Sequence, residues 1–293
     1  MAKTNQKLTK LKSLFWISRP ISWVNTAYPF AAGYIFTGGQ NYLTLIIGSL
    51  FFLIPYNLMM YGVNDVFDYE SDLNNPRKGG IEGAIAQKKL HPFILKSVVW
   101  SNIPFIFVLG LLGDFNSSLV LVLLIFFVLA YSMPKLRFKE IPVLDSITSS
   151  IHFVGPLVFA LFLTNSLIPA LPYVIAFFLW GLASQSFGAI QDILPDKKAG
   201  IGSIATVLGA RNTVYFSLVL YMLSTALVFM QNTFGSLLVA CAGLLYVANT
   251  LQFIKVNEKT SEKTNIGWKR FIWINYFAGF AVTISLILTK LFE

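Results

Sequence analysis

The chain has 293 residues, 56% of them hydrophobic and only 12% charged, with a formal charge of +9. A soluble domain has about a quarter of its residues charged, so this composition excludes one and points to an integral membrane protein. The single cysteine, Cys241, excludes an internal disulfide and is expected to be a small buried side chain.

Residues 1–15 form a basic arm with Lys3, Lys7, Lys10 and Lys12. It has the charge of a signal-peptide n-region, but Arg19 and Asn25 lie in or beside the first apolar run and no small-residue cleavage site follows. The arm is therefore expected to be retained. Apolar runs of about 18–22 residues follow, the length a helix needs to cross a bilayer. They predict spans near 18–37, 42–63, 92–112, 117–134, 144–164, 171–190, 212–230, 235–255 and 270–290. The expected fold class is all-α: a multi-pass membrane bundle of about nine transmembrane helices. No hydrophilic stretch is long enough for a separate domain, so residues 1–293 read as one.

Alternate connections hold the basic residues: the arm, Arg77, Lys78, Lys88, Lys89, Lys135, Arg137, Lys139, Lys197, Lys198, Arg211, Lys259, Lys263, Lys269 and Arg270. The opposite connections, around 38–41, 113–116, 165–170 and 231–234, contain no Lys or Arg, and only Lys290 falls on their side. The positive-inside rule then predicts a cytoplasmic N-terminus and an outside C-terminus in the cell membrane. The net charge is a topology signal that also attracts lipid headgroups and phosphates, and no nucleic-acid partner is expected.

At the inner end of the second run the chain reads N-D-V-F-D-Y-E-S-D, from Asn64 to Asp72. Asn64, Asp68 and Asp72 fall at i, i+4 and i+8, which stacks three oxygen-bearing side chains about 6 Å apart on one helical face, with Asp65 one step round. Carboxylates so crowded beside a bilayer call for a cation. Mg2+ suits them, because it takes oxygen ligands and is usually shared with a substrate phosphate. Taken alone, the cluster reads equally as a solvated acidic loop. A second motif, Q-D-I-L-P-D-K-K-A-G, repeats the spacing with Asp192 and Asp196 beyond the sixth run. Two such pairs facing each other would hold two or more Mg2+ ions with a diphosphate between them.

Polar residues within the spans cluster towards the same side. Span five carries Asp145, Ser149 and His152 at helical spacing; span six carries Gln185, Gly188 and Asp192; span one carries Arg19, Ser22 and Asn25. They are expected to line a polar mouth open to the cytoplasm above an apolar, aromatic chamber, the alternative being hydrogen bonds that hold helices together. After span four, Y-S-M-P-K-L-R-F-K offers Tyr131, Lys135, Arg137 and Lys139 as donors to a diphosphate; snorkelling topology markers are the alternative. Arg77 and Lys78 after motif one carry the same two readings. Asn25, Gln185 and Lys197 are further candidates for binding substrate.

N-D-x-x-D-x-x-x-D, D-x-x-x-D, the Y-x-x-x-K between them and nine spans together resemble the UbiA family of intramembrane prenyltransferases, over essentially the whole chain. The resemblance implies that Asn64, Asp68, Asp72, Asp192 and Asp196 bind Mg2+–diphosphate, with Asp65 close by. It also implies that Tyr131 and Lys135 stand near the reacting end of the prenyl donor. Many members carry a third acid in motif two where this chain has Gly200, so motif two is expected to supply two carboxylates. The stretches around 64–80 and 136–156 look most like the carotenoid branch, the lycopene elongases. That implies transfer of a C5 unit from an allylic diphosphate such as dimethylallyl diphosphate to a carotenoid, with His152 as candidate base or water-holder. Prenylation of an aromatic quinone precursor is the alternative acceptor chemistry, and a cation transporter the alternative from another class.

Overall fold

The computed structural model describes residues 2–73 and 86–292, and every element among them is helical. By clustering of contacts the chain divides into two units, Met1–Phe138 with Gly155–Ser166, and Lys139–Val154 with Leu167–Glu293.

The first unit contains α1 (Ala2–Ile17), α2 (Val24–Phe36), α3 (Tyr42–Leu53), α4 (Pro55–Phe67), α5 (Tyr69–Leu73), α6 (His91–Leu112) and α7 (Phe115–Ser132). The basic arm is helical, and Ile17 at its end is buried. The span expected at 18–37 is interrupted. Arg19 takes a left-handed backbone, φ 50°, before a 3-10 turn at Pro20–Ser22, because proline disfavours the right-handed helical region for the residue preceding it. The 13 residues of α2 reach only about 20 Å, short of a hydrocarbon core about 30 Å thick. Among the described residues, eight other helical stretches are long and apolar enough to cross a membrane; about nine spans were expected.

The first of these stretches, Tyr42–Phe67, is broken at Ile54 by Pro55, which has no N–H to continue the ladder. Side chains satisfy the freed carbonyls. The Asn57 amide lies 2.8 Å from the Phe52 carbonyl, 3.1 Å from that of Leu53 and 2.7 Å from the Thr26 hydroxyl. Thr26 in turn donates to the Phe52 carbonyl at 2.7 Å. Asn102 of α6 donates to the Pro55 carbonyl at 2.9 Å. The joint thus holds α4, which carries motif one, at a fixed angle. Elsewhere the ends follow local chemistry: Asn41 caps α3 through the Leu43 and Thr44 amides, and an Asp114–Ser117 capping box opens α7.

The helix α8 (Leu144–Leu163) is shared: its first half belongs to the second unit and its last to the first. In the first unit Phe159 stacks on Phe30 with centroids 5.9 Å apart. The second unit continues with α9 (Leu167–Ile190), α10 (Ile193–Ala199), α11 (Ile204–Leu208), α12 (Ala210–Phe229), α13 (Phe234–Leu251) and α14 (Thr264–Phe292). Phe187, Ile190, Ile193, Ala205 and Val214 form one core; Tyr221, Tyr246 and Phe271 form another with Trp180 and Trp268 around them. Cys241, expected to be buried, is exposed on α13. On a membrane helix the lipid supplies the apolar surroundings that a small thiol otherwise finds in a core.

Candidate active site

Motif one spans the end of α4 and the short α5. Asp68 sits at the joint as the C-cap of α4, yet the backbone bonds run on through it. The Asp68 amide donates to the Asn64 carbonyl at 2.9 Å and the Asp72 amide to the Asp68 carbonyl at 2.8 Å. The three residues therefore keep the one-turn spacing read from the sequence. Asp65 and Asp68 are each 2% exposed and Asp72 is 9% exposed, so these are buried carboxylates and not a solvated loop.

Two arginines meet them. Arg19 donates to Asp65 at 2.9 Å, with side chains 16% and 1% exposed, and its guanidinium lies 4.2 Å over the Tyr61 ring. Arg137 donates to Asp68 at 3.2 Å and reaches the Phe67 carbonyl at 3.5 Å, so it also closes the C-terminus of α4. Asn64 donates to Asp68 and, at 3.0 Å, to Ser132 at the end of α7. Arg19, Lys135 and Arg137 all have left-handed backbones, with φ of 50°, 75° and 42°. At Arg19 and Arg137, strained backbone held beside buried charges marks a site over-determined by its surroundings. Because α7 ends at Ser132, Tyr131 lies on the helix, half-buried, whereas Lys135 is exposed in the following loop. Asn25 is half-buried in the first turn of α2. Arg77 and Lys78 lie outside the described residues. His91, for which the sequence suggests no role, opens α6; its ring meets Tyr69 at 5.1 Å and its Nε2 the Ala86 carbonyl at 3.0 Å.

Motif two lies in the second unit. Asp192 is the N-cap residue of α10, and the Asp196 amide donates to its carbonyl at 2.8 Å, which retains the i, i+4 spacing. Both side chains are half-buried. Gly200, φ 70°, ends the helix. Gln191 donates to the Gly188 carbonyl at 2.9 Å and accepts from Asn265 at 2.6 Å. The segment after motif two is held from two sides. Asp145, 1% exposed, accepts from the Ile204 amide at 3.1 Å, and a Cβ on Gly202 would lie 2.7 Å from the Glu140 carbonyl. Lys197, expected to face substrate, pairs with Glu258 at 2.9 Å on an exposed surface. Lys139 is half-buried.

The polar stripes of spans five and six meet each other. Ser149 donates to Gln185 at 3.0 Å, Ser146 and Ser186 lie 3.2 Å apart, and Ser150 donates to the Phe178 carbonyl at 2.7 Å. These bonds tie α8 to α9, the role set against cavity lining in the sequence. His152 is buried at 3% exposure. The sequence places Arg19 and Asp145 in the polar stripes of the expected mouth without giving either a role or a partner. Both were visible as charged residues within apolar runs, but their partners are 46 and 59 residues away.

Among the described residues, no group of three or more His, Cys, Asp or Glu is arranged to hold a metal by itself. What motif one does offer is an oxygen-only donor set on one face. Such a set suits a hard divalent ion that keeps water and takes further ligands from a phosphate.

The chain is 46% identical over 282 residues to a lycopene elongase/hydratase of Corynebacterium glutamicum, covering 96% of this chain and 98% of that one. It is 47% identical over 275 residues to the C(50) beta-cyclic carotenoids biosynthesis protein LbtBC of Dietzia sp. (strain CQ4), covering 93% of this chain and 64% of the relative. A solved UbiA homolog from Archaeoglobus fulgidus, bound to DMAPP and Mg2+, superposes with a TM-score of 0.64 at 19% identity, covering 92% of this chain and 98% of that one. The model of the UbiA prenyltransferase family matches residues 26–275, and the chain belongs to that family.

Proposed function

We propose that this prenyltransferase moves a C5 group from dimethylallyl diphosphate to an end of a C40 carotenoid such as lycopene, with Mg2+ as the counter-ion of the diphosphate. The observation that carries the donor side is the buried pair Asp68 and Asp72, in register with Asn64 and met by Arg137. Support for the acceptor comes from the relatives named for lycopene elongation and C50 carotenoids. In this reading residues 1–293 work as one catalytic domain in which motif one and motif two are both needed to bind the diphosphate. The N-terminus and both motifs face the cytoplasm across the cell membrane.

Asn64, Asp68, Asp72, Asp192 and Asp196 would hold the ion. When bound it neutralises the diphosphate and eases departure of that group. The reaction breaks the allylic carbon–oxygen bond, releases diphosphate and forms a carbon–carbon bond to the terminal alkene of the acceptor. The tertiary cation left there loses a proton, or takes up water and then releases a proton. Lys135 and Arg137 donate to the departing diphosphate, and Tyr131, at the end of α7, stabilises positive charge near the reacting end of the donor. His152, as a neutral imidazole in an apolar span, takes the proton or holds the water. Asp65 fixes Arg19, which keeps that guanidinium beside the anionic group.

Membranes holding the chain should convert lycopene, dimethylallyl diphosphate and Mg2+ into products one and two C5 units heavier, read by mass spectrometry. Hydroxybenzoate or dihydroxynaphthoate with a long prenyl diphosphate should give none. Product from the aromatic pair alone would overturn the carotenoid acceptor.

A further inference from the structure

We infer that the first unit carries a second acceptor subsite, remote from motif one, which lodges the already extended end of a carotenoid while its other end reacts. This rests on the carotenoid reading above. It starts from an open, mostly polar hollow of about 400 Å3 lined by Tyr34, Gln40, Asn41, Thr44, Thr164 and Asn165, among others. That volume lies within the roughly 300–1,000 Å3 of small-molecule pockets and is ample for a five-carbon branch.

The cavity lies at the end of the helices away from motif one. Thr44 is in the first turn of α3 and Asn64 in the last turn of α4, at most about 30 Å apart at helical rise because the path bends at Ile54. Leu112, also lining the cavity, ends α6, whose first residue His91 packs on Tyr69 next to Asp68. That reach is comparable to the thickness of a hydrocarbon core, about 30 Å, and a conjugated C40 chain is a stiff rod of that order.

A C50 product is a C40 acceptor plus two C5 units. The acceptor must therefore be presented twice, once from each end. A stiff polyene cannot double back, so during the second addition the first end lies a full molecular length from the diphosphate. It is then five carbons longer and, where water was taken up, carries a hydroxyl. The lining has donors and acceptors for that hydroxyl, in the Gln40 and Asn165 amides. The walls are held in place: the Thr37 and Thr164 hydroxyls lie 2.7 Å apart, and the Tyr34 hydroxyl accepts from the Asn41 amide at 3.2 Å. Gly39 lies against the Tyr34 ring, where a Cβ would come within 2.4 Å.

Two variants test the subsite in membranes supplied with lycopene, dimethylallyl diphosphate and Mg2+. Asn165→Gly removes an amide at a residue whose φ of 53° suits glycine; Gln40→Trp fills the cavity from its exposed lip. The readout is the ratio of double to single addition product, compared at equal total conversion of lycopene so that a smaller folded fraction does not itself lower it. Loss of one hydrogen bond should lower the ratio about fivefold in Asn165→Gly, and Gln40→Trp should lower it further. A ratio unchanged in Asn165→Gly and in folded Gln40→Trp, or a wild type that stops after one addition, overturns the subsite. A wild type that extends lycopene not at all instead removes the carotenoid reading itself.

Discussion

Arg19, Lys135 and Arg137 hold backbones that a side chain with a Cβ adopts at a cost of about 1–2 kcal/mol, and all three belong to the surroundings of motif one. At Arg19 and Arg137 an ion pair offsets the strain; Lys135 is exposed. Lys135→Gly should therefore leave the melting temperature unchanged or slightly raised while product formation falls steeply, as differential scanning fluorimetry and product assays on one preparation would reveal. Arg19→Leu should lower the melting temperature as well as product formation. It leaves Asp65, 2% exposed, without its guanidinium, and breaking a buried pair from one side costs about 3–5 kcal/mol. Adding Asp65→Leu should recover part of that loss in a double-mutant cycle. The sequence made Asp68, Asp72 and Arg137 legible because regular spacing and charge are local signals. Arg19 was visible only as one member of a polar stripe, since nothing local indicates a partner 46 residues along.

Helix existence was legible throughout, because a bilayer-length apolar run has few other solutions. Helix breaks were not. The joint at Ile54–Pro55 lies inside an unbroken apolar run, so hydropathy passes over it, and the turn at Arg19–Pro20 was absorbed into a predicted first span for the same reason. The residues that make the Ile54 joint tolerable, Asn57, Thr26 and Asn102, are polar side chains at membrane depth. Asn57→Leu should strip donors from the Phe52 and Leu53 carbonyls and destabilise the fold by about 1–3 kcal/mol, measured by denaturant titration in detergent. In the second unit, Gly202→Ala drives a methyl group against the Glu140 carbonyl. Such overpacking costs about 1–3 kcal/mol, and because the strained segment follows directly from motif two, turnover should fall further than the melting temperature suggests.

At the scale of the whole chain, this is an integral multi-pass membrane protein and a prenyltransferase, which removes the transporter alternative. The repeated acidic spacing on two units predicts that Asp68→Asn and Asp196→Asn each abolish product while the chain still folds, with the melting temperature of Asp68→Asn lowered by the loss of its ion pair with Arg137; activity surviving in either would separate that motif from catalysis. The charge pattern predicts that single cysteines at Gln40 and Lys198, in a Cys241→Ala background, react with impermeant reagents from opposite faces of sealed vesicles. Charge asymmetry gave an orientation to test and spacing gave the metal candidates, whereas the separation of the motifs across two units left no local mark. The left-handed cations also carry a warning for anyone breeding this protein for heat tolerance without demanding product. Glycine or asparagine at Lys135 would be among the first substitutions to be rewarded, and the hardier lineages would grow quietly inert.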